Sequence, residues 1–261
     1  MHSRQEKIEA LGRVIDTLDI LRVECPWDRK QTNESLRPNT IEETYELCDD
    51  LLNDDAVNIR KELGDLLLHI LFYAKIGEEK GDFDIADVAD ALNDKLIFRH
   101  PHVFGEVNVN GDAHKVEQNW EQIKLKEKGG NKTVLAGVPK ALPAMIKADR
   151  IQEKAANVGF DWDERSQVWD KVREEVTEFT YEAQKHDHDR MEAEFGDVLF
   201  SLINAARLYK INPENALERT NQKFIARFNY LESKAHEMGR ELRDMTLAEM
   251  DAIWEEAKTK V

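Results

Sequence analysis

The sequence predicts an all-α protein made of two tandem helical domains, and two observations predict this fold: helical periodicity and an internal repeat. Apolar residues recur with helical spacing along nearly the whole chain, and one ordered set of acidic, basic and tryptophan residues occurs twice. Only six prolines and twelve glycines occur among 261 residues, so long helices can run unbroken. The expected architecture is therefore a pair of helical-bundle domains.

The predicted helices follow one another with few interruptions. Ile8, Leu11, Ile15, Leu18 and Leu21 mark the apolar face of the first helix. No segment alternates convincingly as a strand would, and residues 107–111 are predicted to form a loop. The further predicted helices span roughly 40–53, 57–80, 84–99, 113–128, 140–157, 165–186, 190–209, 213–238 and 246–259, with the usual error of a few residues at each end.

A glycine-rich break divides the chain near its middle. Residues 127–139, EKGGNKTVLAGVP, are weakly periodic and end in a proline that suits the start of a helix. We therefore expect an N-terminal domain over residues 1–129 and a C-terminal domain over residues 130–261.

Composition excludes several classes of protein. A net charge of −16 argues against a nucleic-acid partner, because neutralising phosphates requires a basic surface. The first ten residues lack the apolar core of a signal peptide, and the most apolar stretch, 66–74, is too short to span a bilayer. Cys25 and Cys48 form no C-x-x-C pair, so we expect free thiols in a cytoplasmic protein without a membrane anchor.

Four pairs of acidic residues repeat at a constant separation of 132 positions. They are Glu43 with Glu175, Glu46 with Glu178, Glu62 with Glu194, and Asp65 with Asp197. Upstream, Trp27 and Asp28 recur as Trp162 and Asp163; downstream, Lys95, Arg99 and Trp120 recur as Lys223, Arg227 and Trp254. Chance does not easily place these residue types in the same order twice, so the sequence indicates an internal duplication.

The spacing of the acids suggests a metal site in each copy. In E-x-x-E and in E-x-x-D both carboxylates project from one helix face, and a short turn near residue 187 would make the two helices antiparallel. Four carboxylates in one space need a cation, since a like-charge pair at 4 Å costs roughly 4 kcal/mol at an effective dielectric of 20. All-oxygen ligands suit Mg²⁺ and also Mn²⁺.

Simpler explanations of these acidic residues require no metal. Acidic residues three apart usually lie on a solvated helix face, Thr40 and Glu43 fit a capping box, and Lys171 with Glu175 fits an ordinary ion pair. Against them, the E-x-x-D pairs stand among apolar residues, where a carboxylate is costly unless it is paired or metal-bound.

The acids and their surroundings resemble the MazG family of all-α nucleoside triphosphate pyrophosphatases. The matching motifs, in chain order, are CPWD, EETYE, GDLLLHILFYAK, KLIFRHPHVF, NWEQIK and NVGFDW. The resemblance implies Mg²⁺-dependent hydrolysis of ribo- and deoxyribonucleoside triphosphates to the monophosphate and pyrophosphate. It also implies a homodimer whose bundle is completed across subunits, and a housekeeping role in removing unwanted nucleotides.

The resemblance also implies roles for individual residues. The family's metal ligands and catalytic acids match Glu175, Glu178, Glu194 and Asp197, with Glu43, Glu46, Glu62 and Asp65 as first-copy equivalents. Its substrate contacts match Lys171, Glu174, Glu175, Asp197, Lys223, Arg227 and Trp254. As phosphate ligands Lys223 and Arg227 would offset substrate charge, and Trp254 would stack on the base. We assign Trp27 and Trp162 to packing, and expect Glu174 or Glu175 to orient the attacking water.

Other functions remain as alternatives. A ferritin-like di-iron protein would need Glu-x-x-His, and no histidine in the chain has a glutamate three positions before it. A P-loop, G-x-x-x-x-G-K-[ST], is also missing from the sequence. A non-catalytic helical adaptor or stress regulator, using its acidic face to bind a protein, stays open.

The second copy is expected to carry most of the activity. Asn39 stands in the first copy where the second has Lys171, which removes one cation from the nucleotide side. Pro101 should end the first-copy helix just after Arg99, whereas the second copy continues as a helix past Arg227. Phe98, in place of the small Ala226, would also crowd the first-copy pocket.

Overall fold

The computed structural model describes residues 1–107 and 133–260, with positions 111, 116 and 123 between them. In this part of the chain the secondary structure is ten α-helices and three short 3₁₀ turns, and no residue lies in a strand. The all-α prediction is therefore confirmed. Most of the predicted helix over 113–128, including Trp120, lies outside the described residues.

The contacts divide the chain into two compact units, Met1–Asn108 and Val109–Val261. The domain boundary between residues 129 and 130 stays a prediction. Within the described residues, no helix is both long enough and apolar enough to cross a membrane.

The first unit contains five helices around an apolar core. Leu18, Leu36, Leu71, Phe72 and Ile76 form this core, and each is at most 6% exposed. The helices are α1 (Arg4–Glu24), α2 (Asn33–Asn53), α3 (Ala56–Lys80), α4 (Ile85–Arg99) and α5 (Pro101–Phe104). Helix α3 is central, since α1, α2 and α4 all contact it.

Helix α2 begins seven residues before its predicted start at residue 40. Thr32 caps it, through a reciprocal capping box with Ser35, and Pro38 is accommodated inside the helix. The capping box suggested for Thr40 and Glu43 is therefore wrong. Thr40 instead lies within the helix, where its hydroxyl donates to the carbonyl of Leu36.

The described part of the second unit also has five α-helices, and their apolar and polar faces are more clearly separated than in the first unit. It contains α6 (Ala144–Ala156), α7 (Val168–Lys185), α8 (His188–Leu208), α9 (Pro213–Glu237) and α10 (Leu247–Ala257). Helices α7 and α8 pack along each other, α6 packs on α8 and α9, and α10 packs on α9. Asn212 caps α9 by accepting from the Asn215 amide, and Pro213 occupies the first helical position, where its missing N–H costs nothing.

Candidate active site

The acids of each copy are carried by a helical hairpin with the same turn. Asp54 closes α2 and His186 closes α7, both in the left-handed region, with φ of 54° and 59°. The next residue, Asp55 or Asp187, caps the following helix with its side chain. The duplication is thus visible in backbone geometry, and each turn makes its two acid-bearing helices antiparallel.

In the second unit this hairpin brings three of the four predicted acids together. Carboxylate oxygens of Glu175, Glu194 and Asp197 all lie within 4.8 Å of one another. Glu178 is exposed and lies outside this group, but its charge acts on Glu194. Burial chiefly raises the pKa of Glu194, and the charges of Glu178, Asp197 and Glu175 raise it further.

The first unit contains the matching group. Oxygens of Glu43, Glu62 and Asp65 also lie within 4.8 Å of one another, while Glu46 is exposed. Burial raises the pKa of Glu43, and the neighbouring carboxyl groups of Glu62 and Asp65 add to the rise. Lys61 donates to Glu62 Oε1 at 2.7 Å, and this bond lowers the pKa of Glu62.

The most buried acids do not fit a solvated helix face. Glu62 is 3% exposed and Glu175 is 6% exposed. Glu62 Oε2 is buried with no hydrogen-bond partner among the described residues. Convergent carboxylates with partly unsatisfied oxygens suit a hard divalent cation, which oxygen ligands bind preferentially. Glu46 and Glu178 are exposed, as the alternative of a solvated helix face predicts.

Lys171 lies beside the second group and neutralises part of its charge. Its Nζ is 2.6 Å from Glu175 Oε1 and 2.9 Å from Glu174 Oε1. These hydrogen bonds, the one to Glu175 first, raise the pKa of the Lys171 ammonium. The ordinary ion pair considered from the sequence is therefore present, and it lies at the edge of the acid group.

A cavity of about 600 Å³ opens next to these acids. It lies between α6, α7, α8 and the segment after α6, and Lys171, Glu175 and Asp197 form part of its wall. Its other lining residues include Gln152, Phe160, Asp161, Trp162, Phe200, Ser201, Asn204 and Arg207. A volume of this size is typical of a small-molecule site.

Sequence reasoning missed most of this cavity wall. The sequence assigns Trp162 to packing alone, but this residue is 40% exposed and also lines the cavity. Trp27, its first-copy counterpart, is 59% exposed. The available signal was the NVGFDW motif itself, in which two large aromatic residues flank an acid directly after a helix.

The remaining predicted substrate contacts lie on other helices. Lys223 and Arg227 are on α9, where Arg227 Nε is buried without a hydrogen-bond partner among the described residues. Trp254 is on α10 and packs against Phe224, with ring centroids 5.0 Å apart. None of Lys223, Arg227 and Trp254 is among the residues that line the cavity.

Comparison with known proteins agrees with the geometry. The MazG nucleotide pyrophosphohydrolase domain matches residues 31–104 and again residues 165–231. The chain is 41% identical over 238 residues to a nucleoside triphosphate pyrophosphohydrolase of Escherichia coli (strain K12), covering 90% of each. It is 44% identical over 237 residues to the nucleoside triphosphate pyrophosphohydrolase/pyrophosphatase MazG of Thermotoga maritima, covering 90% of this chain and 89% of that protein.

A third relative, the uncharacterised protein YabN of Bacillus subtilis, is 50% identical over 236 residues, which are 90% of this chain and 48% of that protein. Both family matches include the helical hairpin that carries a carboxylate group. The duplicated helical fold, the two acid groups and these relatives agree, and the chain belongs to the MazG family of nucleotide pyrophosphohydrolases.

Proposed function

We propose that this chain hydrolyses nucleoside triphosphates, both ribo- and deoxyribo-, to the monophosphate and pyrophosphate. Its relatives from Escherichia coli and Thermotoga maritima are named for this activity. The observation that supports it most directly is the acid group of Glu175, Glu194 and Asp197, which borders a cavity large enough for a nucleotide. A housekeeping role in the cytoplasmic nucleotide pool is part of the proposal.

Mg²⁺ is the proposed cofactor, and Mn²⁺ is expected to substitute for it. Glu175, Glu194 and Asp197 would hold the ion, with the exposed Glu178 as the fourth ligand. Burial and the charges of the neighbouring carboxylates raise the pKa of Glu194, and both support a cation between these acids. When bound, such an ion lowers the pKa of a coordinated water and polarises phosphoryl oxygens.

The protein's own side chains position the substrate and the water. Lys171, Lys223 and Arg227 are proposed to bind phosphate oxygens, because their charges offset the negative charge of the substrate. A carboxylate of Glu174 or Glu175 orients the water that attacks the α-phosphorus. The bond from this phosphorus to the bridging oxygen then breaks, and the oxygen leaves with pyrophosphate.

The test is a product assay with purified protein and a panel of canonical and modified nucleoside triphosphates. We expect pyrophosphate and monophosphate in equal amounts with Mg²⁺, loss of turnover in EDTA, and recovery when Mg²⁺ is added back. Orthophosphate with diphosphate would contradict the proposed bond cleavage. Full activity in EDTA would contradict the metal dependence.

A homodimer is also part of the proposal. Helices α8 and α9 expose large apolar side chains, among them Phe195 at 49%, Phe224 at 57% and Ile225 at 56%. Apolar faces of this kind are normally covered by another helix. Sedimentation at micromolar concentration should give twice the mass of one chain, and a monomer at that concentration would argue against a completed bundle across subunits.

A further inference from the structure

The first unit has a lysine beside its acid group at a position where the second unit has an alanine. Lys61 precedes Glu62 on α3, and the residue 132 positions later is Ala193. Lys61 also stands four residues before Asp65, so these two side chains project from the same face of the helix. The helix that carries two acids of the first group therefore carries a positive charge beside them.

The Lys61 ammonium interacts with several of the predicted metal ligands at once. Its Nζ donates a hydrogen bond to Glu62 Oε1 over 2.7 Å. This bond is the largest influence that raises the pKa of Lys61, and the charges of Glu62, Asp65 and Glu46 raise it further. Three of the four predicted ligands of the first copy thus act on one ammonium group.

The burial of Glu62 explains why this acid needs a cationic partner. Glu62 is 3% exposed, and a carboxylate at that depth is costly unless a cation pairs with it. The Lys61 side chain is 64% exposed, so most of its stem remains in water while the ammonium contacts the acid. Lys61 therefore supplies, from within the chain, positive charge that a bound ion would otherwise supply.

The lysine of the second unit contacts its acid group differently. Lys171 Nζ lies 2.6 Å from Glu175 Oε1 and 2.9 Å from Oε1 of Glu174, which lies outside the three-carboxylate group. Lys171 also lines the cavity. Burial raises the pKa of Glu194, and the charges of neighbouring carboxylates raise it further. The second group therefore keeps a concentration of negative charge that an external cation would relieve.

We propose that Lys61 is an internal cation of the first acid group, which disfavours divalent metal there and directs metal to the second group. An ion that enters the first group must displace the ammonium and then tolerate a like charge nearby. Lys61 thus determines which copy is loaded with metal. This inference rests on the proposed function, because it takes the carboxylate groups to be sites for divalent ions.

The first acid group can be measured alone in the variant Glu194→Gln with Asp197→Asn. Mn²⁺ is the probe, and its paramagnetic resonance signal reports the concentration of free ion. In this background Lys61→Met should tighten Mn²⁺ binding at least about tenfold, because methionine keeps much of the stem and removes the charge. Lys61→Arg, which keeps the charge, should leave the affinity near the background value. An unchanged affinity in Lys61→Met would overturn the proposal.

The reciprocal exchange tests the second group, in the variant Glu62→Gln with Asp65→Asn. Ala193 is exposed, so a longer side chain can be accommodated at this position. Ala193→Lys should weaken Mn²⁺ binding about tenfold and should raise the Mg²⁺ concentration needed for half-maximal pyrophosphate release. Ala193→Met is the matched control and should change neither quantity. Equal affinities in Ala193→Lys and Ala193→Met would contradict the role of the charge.

The inference and the proposed function fail through different results. A first group that binds Mn²⁺ as tightly as the second, with Lys61 in place, removes the inference while metal-dependent pyrophosphate release stands. If neither acid group binds Mn²⁺ or Mg²⁺ in protein that circular dichroism shows to be folded, the metal dependence of the proposed function fails, and the inference fails with it.

Discussion

The two acid groups contain equivalent acidic residues, but the cationic side chains beside them differ. In the first unit Lys61 lies next to Glu62 in sequence and donates to it at 2.7 Å. The second unit has Ala193 at the position of Lys61. As a result the pKa of Glu62 is lowered, chiefly by Lys61, whereas burial and neighbouring carboxylates raise the pKa of Glu194.

The space beside the acids differs as well. Phe72 in the first unit is 1% exposed and belongs to the apolar core. The residue 132 positions later is Asn204, which lines the cavity of the second unit. His69 and Ser201 are related in the same way, and both are buried. At this position the first copy has a side chain in the apolar core, while the second copy has a side chain that lines a cavity beside its acids. This difference favours the second copy as the catalytic one.

Neutralising acids in one copy at a time tests that conclusion most strongly. Glu194→Gln with Asp197→Asn should reduce turnover to background, at least about a thousandfold, because proposed metal ligands are lost. Glu62→Gln with Asp65→Asn should keep most of the turnover. Pyrophosphate release gives the readout, and circular dichroism with sedimentation shows that both variants remain folded. The reverse outcome would move the active site to the first copy, and equal loss would mean that both copies work.

Phe72 and Asn204 occupy equivalent positions in the two copies, so replacing each by alanine compares a core position with a position at the cavity wall. Phe72→Ala should lower the stability of the first unit by about 3–5 kcal/mol, since it leaves a hole in a packed core. Asn204→Ala removes a side chain that already borders open space, so its effect on unfolding should be much smaller. Denaturant unfolding followed by circular dichroism measures both. Equal losses would show that the position of Asn204 is as tightly packed as that of Phe72.

The pKa of Glu194 is raised and that of Glu62 is lowered, so removing the charge of one or the other should change the stability in opposite directions. Because the folded-state pKa of Glu194 is raised, metal-free protein loses stability as pH rises from 4.5, the ordinary value, through the raised value. Glu194→Gln should therefore raise the midpoint of thermal unfolding at pH 7.5 by a few degrees, and by less below pH 4.5. The lowered pKa of Glu62 contributes stability above 4.5, so Glu62→Gln should lower the midpoint at pH 7.5. Shifts in the same direction would contradict the contrast.

The helices were largely predictable because their signals are local. The predicted 57–80 and 213–238 agree with Ala56–Lys80 and Pro213–Glu237 within one residue at each end. Asp55 and Asn212 cap these helices, and a cap is readable in a short window of sequence. Helix α2 shows the largest departure, while α6 begins at Ala144 instead of near residue 140 and the short α5 was not predicted. The first turns of α2 include Pro38, but Leu36 is 2% exposed, and burying it favours helix there despite the proline.

The site was only partly predictable, for a physical reason. The convergence of Glu175, Glu194 and Asp197 follows from spacing and a short turn, which a sequence displays. The cavity is a space between the side chains of α6 and α8, and such a space is a property of tertiary packing. The repeat did contain a signal, since a large apolar residue in one copy aligns with Asn204 in the other.

The two-residue turn between α7 and α8 has a consequence for folding kinetics. All acids of the group lie on one hairpin, so the site assembles from contacts of short sequence separation, which form rapidly. Repulsion between Glu175 and Glu194 opposes that early step when no cation is present. Mg²⁺ should therefore accelerate refolding as well as slow unfolding, and stopped-flow experiments would show whether the hairpin belongs to the folding nucleus.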